Sequence, residues 1–278
     1  MTKRNLKFYL KDKLTAKELK FAPSSFDVVG DILIFSEFPK ELVKKEKIIG
    51  SIILQNYHHI KTVLKKTKKY SGKFRTPKLK VIAGENRKET ICKENDVFIK
   101  LDAEKVYFSP RMSSERKRIS QLIKPNESVL VMFSGAGVYP LVIAKNSKCR
   151  EIYGIEINPI AHKYALENSK KNKLENKIKL FLGDVKKIMP NLNKKFDRIL
   201  MPLPKGGEYF LGLALKFIKK NGIIHFYDFE HEDELYKAGE KVKKSCEKPK
   251  RKFKILKTAK CGQYSPRFYR VCVDFLVY

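Results

Sequence analysis

Ser128-Val129-Leu130-Val131-Met132-Phe133-Ser134-Gly135-Ala136-Gly137 decides the fold, because it is an apolar run that closes on a two-glycine turn. Twenty-one residues after Gly135 stands Glu156, directly behind a second apolar run, Ile152-Tyr153-Gly154-Ile155. Two strands ending in a glycine turn and in an acid have the layout of a nucleotide pocket at the carboxyl edge of a parallel sheet. The glycines let backbone come near the ligand, and the carboxylate receives the ribose hydroxyls. Pro140 occupies the place of the third glycine of G-x-G-x-x-G, which argues against a pyrophosphate loop. A cofactor without phosphates, S-adenosylmethionine, suits a two-glycine turn.

On both sides of this stretch, strand candidates at 128–133, 151–157, 177–182, 197–203 and 222–228 alternate with helices near 138–147, 159–173 and 207–220. This predicts an α/β fold with a doubly wound parallel sheet. A helix near 232–246 precedes two last strand candidates, 253–257 and 269–275, which predict a C-terminal antiparallel hairpin on that sheet. Such a hairpin is typical of Rossmann-like class I methyltransferases rather than of dinucleotide dehydrogenases. Asp184, behind the third strand candidate, is placed to meet the adenine amino group. Both acids also have structural readings: Glu156 precedes Asn158-Pro159 at a helix start, and Asp184 can cap the turn into Val185.

Before this region the pattern changes. Residues 26–35 read as a strand, a Gly30-Asp31 turn and a second strand, followed by a helical segment at 40–57 and strands at 62–64, 79–82 and 97–101. The expected organisation is an N-terminal arm (1–22), a small α+β RNA-binding domain (23–105) and a catalytic domain that binds S-adenosylmethionine (106–278).

Sixty-one Lys and Arg against thirty Asp and Glu give a formal charge of +31, so the partner expected is a polyanion, nucleic acid. The bland reading of the same charge is a solvated lysine-rich surface. A hydrophobic share of 42% excludes global disorder. Five scattered cysteines form no C-x-x-C pair, so neither a metal cluster nor a disulfide framework is expected. No apolar run approaches the ~20 residues of a membrane span, and the basic N-terminus lacks a signal-peptide core, so a cytoplasmic chain acting as a monomer is expected.

Several segments resemble the archaeal and eukaryotic tRNA guanosine-37 N1-methyltransferases and their wyosine-pathway relatives. They are Phe26-Asp27-Val28-Val29-Gly30-Asp31, Gly72-Lys73-Phe74-Arg75, Ala83-Gly84-Glu85-Asn86-Arg87, the run Val106-Tyr107-Phe108-Ser109-Pro110-Arg111 continuing to Glu115-Arg116, Gly154-Ile155-Glu156-Ile157-Asn158-Pro159, Leu203-Pro204-Lys205 and Tyr264-Ser265-Pro266-Arg267. The resemblance implies that Glu115 removes the guanine N1 proton and that Arg75 supports the negative charge developing on O6, the pair that N1 alkylation requires. It places Phe133, Gly135, Gly137, Glu156, Asp184, Pro204 and Arg111 with the cofactor, and Tyr107, Arg87 and Lys205 with the anticodon loop of tRNA.

Structural readings stand beside these. Glu115 suits a helix N-terminus and an ion pair with a neighbour such as Arg116 or Arg111, Arg75 suits a phosphate, and Tyr107 suits the core. The chain departs from the family in three respects: Pro202 stands at the asparagine of Asn-x-Pro, Val131 replaces an acid before the glycine turn, and only about 25 residues precede the matching segments. A wyosine-pathway transferase, moving the 3-amino-3-carboxypropyl group or methylating carbon, is the alternative. A non-catalytic basic RNA-binding protein is the reading from another class.

Overall fold

In the computed structural model, which describes residues 6–247 and 249–278, the chain divides into two compact units. One comprises Met1–Lys93 and Phe98–Pro110, the other Glu94–Val97 and Arg111–Tyr278. Residues 1–5 of the expected arm lie outside the described residues.

The small unit begins with two short helices, α1 (Leu6–Leu10) and α2 (Ala16–Leu19), the latter opened by a Thr15–Glu18 capping box. Strands β1 (Asp27–Val29) and β2 (Ile32–Phe35) pair antiparallel across the expected Gly30-Asp31 turn. The expected helical segment is a 3₁₀ helix at Lys40–Lys45 and then α3 (Glu46–Asn56). By crossing the sheet, α3 lets β3 (Thr62–Ser71) run parallel to β2, and β4 (Thr76–Gly84) returns antiparallel, giving the order β1-β2-β3-β4. Leu6, Leu10 and Leu14, from the expected arm, are buried with Ile49, Ile53 and Val63 in this unit's core.

A further hairpin joins β5 (Glu89–Glu94) to β6 (Val97–Asp102) through Asn95 and Asp96, both at positive φ as a type I′ turn requires. Strand β5 was not expected. Its buried residues are Thr90 and Glu94, so it carries no apolar alternation to read.

The larger unit is the predicted sheet. After α4 (Ser113–Leu122), β7 (Ser128–Met132) is buried at every residue, as a central parallel strand covered on both faces must be. It is followed by α5 (Val138–Asn146), β8 (Glu151–Glu156), α6 (Pro159–Lys171), β9 (Ile178–Leu182), α7 (Val185–Asn191), β10 (Phe196–Met201), α8 (Leu211–Phe217), β11 (Ile218–His231), α9 (Tyr236–Glu247), β12 (Phe253–Ser265) and β13 (Phe268–Val277). The order is β12-β13-β11-β10-β7-β8-β9, parallel from β9 to β11, with β13 and β12 added antiparallel. This is the doubly wound sheet with the terminal hairpin.

Several elements differ from expectation in extent: β3, β4, β11 and β12 are all longer than the apolar runs that marked them. The helix expected at 207–220 stops at Phe217, because Ile218 already pairs with Phe196 and opens β11. The seven-residue α7 was not expected; it carries Pro190 and lacks a long apolar stripe. Among the described residues no helix is long and apolar enough to cross a membrane.

Candidate active site

The strand order reverses beside β7, since β8 lies on one side of it and β10 on the other. The crevice outside the carboxyl ends at such a switch point is where open α/β sheets bind ligands. The ends of β7, β8, β9 and β10 deliver the 133–137 turn, Glu156, Asp184 and the Pro202–Lys205 segment to this edge.

The turn after β7 is built from positive φ at Phe133 (60°), Gly135 (57°) and Gly137 (79°). Ser134 N–H donates to the Ile155 carbonyl (2.9 Å) and Gly137 N–H to the Ser134 carbonyl (3.0 Å). A Cβ on Gly137 would stand 3.1 Å from the Ala165 Cβ of α6, so helix and turn meet too closely for a larger residue. The buried Asn168 Nδ2 donates to the Ala136 carbonyl (3.1 Å), fastening the turn from the far side. Gly137→Ala is expected to cost about 1–2 kcal/mol from the left-handed conformation alone. The melting temperature should then fall by roughly 2–8 °C; an unchanged melting temperature would contradict this packing.

Glu156 holds the glycine turn and the start of α6 together. One carboxylate oxygen accepts Gly135 N–H and the other accepts Asn158 N–H, each at 2.7 Å. Burial pushes its carboxyl above the usual value, opposed by the two backbone N–H groups it accepts from Asn158 and Gly135. Asn158 caps α6 by accepting from Ile160 N–H and Ala161 N–H, with Pro159 in the first turn. Asp184 likewise stands at the predicted strand end and caps α7, its Oδ1 accepting Lys186 N–H at 2.9 Å. Phe133 meets Phe210 edge to face with centroids 5.0 Å apart, which closes one side of this edge.

After β10, Leu203 N–H reaches the Met201 carbonyl at 2.7 Å. This is a three-residue turn centred on Pro202, whose ring fixes the φ that such a turn needs. Pro204 follows half-buried and Lys205 exposed. Arg111, exposed in the turn Pro110–Met112, has its carbonyl 3.9 Å from where a Cβ on Gly262 would stand.

Glu115, in the first turn of α4, is 5% exposed and held by two side chains. Arg118 donates Nε to its Oε2 and Nη2 to its Oε1, both at 2.7 Å, and the Tyr227 hydroxyl donates to Oε1 at 2.7 Å. Of the two neighbours expected as ion-pair partners, Arg111 and Arg116, the latter instead grips Glu94 through two bonds of 2.5 Å. Helical spacing explains the exchange: i and i+3 share a face, and i+1 points away. Arg118, Tyr227 and Asn168 were not singled out from the sequence.

Arg75, Arg87 and Tyr107 belong to the small unit. Arg75 stands at positive φ (50°) in the β3–β4 turn, with its N–H on the Gly72 carbonyl. Arg87 is tied to Asp31, Glu85 and the Glu89 carbonyl, so its guanidinium braces the β1–β2 turn. Tyr107 is 40% exposed.

Residues 90–256 match the TRM5/TYW2 methyltransferase domain, and residues 6–87 match the TYW2 N-terminal domain. The tRNA (guanine(37)-N(1))-methyltransferase Trm5b of Pyrococcus abyssi is 39% identical over 93% of this chain and 76% of its own length. The crystal structure of Trm5b from that organism superposes with a TM-score of 0.86, at 38% identity over 95% of this chain and 78% of that one. The tRNA(Phe) (4-demethylwyosine(37)-C(7)) aminocarboxypropyltransferase of Methanocaldococcus jannaschii is 34% identical over 90% of this chain and 96% of its own. The structure of M. jannaschii TYW2 in complex with AdoMet superposes with a TM-score of 0.70, at 28% identity over 91% of this chain and 99% of that one.

Proposed function

Because the chain belongs to the TRM5/TYW2 methyltransferase family, we propose that it is an S-adenosylmethionine-dependent tRNA methyltransferase that forms N1-methylguanosine at position 37 of the anticodon loop. The observation that carries this reading is Glu115, a buried carboxylate on α4, just behind the Ser109-Pro110-Arg111 segment, held by three donor groups of Arg118 and Tyr227. N1 of guanine is a poor nucleophile while protonated, so the reaction needs a fixed acceptor for that proton. Arg75 is assigned to the guanine O6, and Tyr107 and Lys205 to the RNA.

The residues at the sheet edge fit the cofactor. A carboxylate offers about four acceptor sites, so two backbone donors leave Glu156 able to take ribose hydroxyls. The glycine turn presents backbone without side chains at this edge, Phe133, Asp184 and Pro204 stand at the ends of the same strands, and Arg111 is assigned to the cofactor with them. Bound there, S-adenosylmethionine supplies an electrophilic methyl group. Incubation of the protein and cofactor with unmodified tRNA transcripts tests the reaction: methyl incorporation is expected with guanosine at position 37 and none with adenosine there. Equal incorporation into both transcripts would sink the proposal.

Residues 65–80 hold eight Lys and Arg and no acid. Strands β3 and β4 fold this stretch into one hairpin, where Lys68 lies directly opposite Lys78, a like-charge pair that costs stability unless a polyanion meets it. At the base of the hairpin Lys65 and Lys80 are also opposite, and both are compensated by Glu46. Among the described residues Lys68, Lys73 and Lys78 form no ion pair, and all three are exposed. This arm is assigned to the RNA backbone. Replacing these three lysines by glutamine should reduce the slope of log affinity against log salt by about 2, at ~0.7 per phosphate contact on single-stranded RNA. An unchanged slope would remove the arm from the interface.

Aminocarboxypropyl transfer to a wyosine precursor is the second reading. It is favoured by the match of residues 6–87 to the TYW2 N-terminal domain and by Pro202, which offers no side-chain amide to the base at the end of β10.

A further inference from the structure

Beneath Glu115 lies a line of buried polar groups contributed by α4, α5, β10, β11 and β13 of the larger unit. Arg118 spans two carboxylates: besides Glu115 it gives Nη1 to Asp274 Oδ2 at 2.6 Å. Asp274 Oδ1 meets His225 Nδ1 at 2.6 Å and the Cys272 thiol at 3.2 Å. His225 Nε2 lies 2.8 Å from Arg198 Nη1, and Arg198 is paired in turn with Glu127. A guanidinium can only donate, so His225 Nε2 accepts and its proton sits on Nδ1, directed at Asp274. On the other side the Tyr139 hydroxyl donates to Tyr227 at 3.0 Å, which commits the Tyr227 proton to Glu115.

The charges of this cluster can be summed. Burial keeps His225 neutral by lowering its pKa and keeps the Tyr139, Tyr227 and Cys272 protons in place by raising theirs. Arg198 cancels Glu127, and Arg116, 6.0 Å from the Tyr139 ring, cancels Glu94. What remains is one guanidinium between two carboxylates, an excess of one negative charge. The lone pairs can be counted too. Oε1 of Glu115 takes two donors, Tyr227 and Arg118 Nη2, whereas Oε2 takes only Arg118 Nε, so one acceptor site is left, on Oε2.

We propose that Arg118, anchored by Asp274, and Tyr227, anchored by Tyr139, are positioning residues that make Oε2 of Glu115 the acceptor of the guanine N1 proton. The inference rests on the methyl-transfer reading above. As the N1 electron pair takes the methyl group, the methyl–sulfur pair leaves with sulfur, the proton passes to Oε2, and the excess charge of the cluster is discharged. Asp274 keeps Arg118 compensated at that moment. Without Asp274, Arg118 would stabilise the Glu115 carboxylate alone and weaken it as a base.

The two anchors act in opposite directions, and this gives the test. Asp274→Asn should move the titration of the Glu115 carboxyl to lower pH, and Tyr227→Phe, by removing a donor to the carboxylate, should move it to higher pH. Carbon-13 NMR of the glutamate carboxyls, with Glu115→Gln to assign the signal, reads this in the cofactor-free protein without turnover. The acid limb of the single-turnover rate should follow the same two directions. The Asp274→Asn rate should fall about tenfold or more while tRNA affinity stays within about twofold. A Glu115 titration that is unmoved in both variants, or moved the same way in both, overturns the proposal. A wild-type protein that makes no N1-methylguanosine contradicts the reaction instead, while the NMR shifts still decide the network.

Discussion

Glu115→Gln should slow turnover by about 10²-fold or more while leaving tRNA affinity within a few fold, the loss expected when a general base is removed. The substitution is nearly isosteric, and Arg118 keeps its second carboxylate, Asp274. The new amide can no longer take a proton from N1. It also turns an N–H towards donors, because Arg118 and Tyr227 both donate at this position. Single-turnover methylation at saturating cofactor measures the effect directly. Wild-type rates in the variant would take Glu115 out of the reaction and leave its ion pair as a fixture of α4.

The second large effect is expected at Glu156. Its carboxylate receives Gly135 N–H and Asn158 N–H and remains able to accept two ribose hydroxyls. Hydrogen bonds to charged groups contribute ~1.5 kcal/mol each at the lower end. Glu156→Ala should therefore weaken S-adenosylmethionine by ~3 kcal/mol, about 10²-fold in Kd. It also frees the Gly135 and Asn158 donors, so the turn loosens as the ligand contact is lost. Calorimetric titration with the cofactor reads the change, and a Kd within twofold of wild type would count against Glu156 as the ribose acceptor.

The larger sheet was legible because its strands obey one rule. A strand covered on both faces must be apolar throughout, and the runs at 128–133, 152–155 and 199–203 carry that signature in the residues themselves. The same logic made Glu156 conspicuous, as an acid at the mouth of such a run. Where the rule does not apply, reading failed. Strand β5 buries Thr90 and Glu94 rather than alternating apolar residues, and the second half of the edge strand β12, which runs on to Ser265, carries no apolar run to mark it. Helix α7 is too short to show a periodic face.

The polar line beneath Glu115 was hidden for a different reason. Its members are ionisable side chains buried between apolar neighbours, Arg198 in β10, His225 in β11 and Asp274 in β13. Each is a visible anomaly in the sequence, since an unpaired charge in a central strand is costly. Their pairing is not visible, because Arg118 and Asp274 lie 156 positions apart and meet only when β13 packs against β11. Helical spacing could have preferred Arg118 to Arg116 as the partner of Glu115, since i+3 shares the face of i.

Pro202 separates the two readings of the transferred group. It sets the three-residue turn that ends β10, beside the glycine turn, and offers no side-chain amide there. The most direct test is mass spectrometry of nucleosides from an unmodified tRNA carrying guanosine at position 37, after reaction with the protein and S-adenosylmethionine. N1-methylguanosine, mapped to position 37, is the predicted product. An aminocarboxypropyl adduct, or no adduct at all, would contradict it.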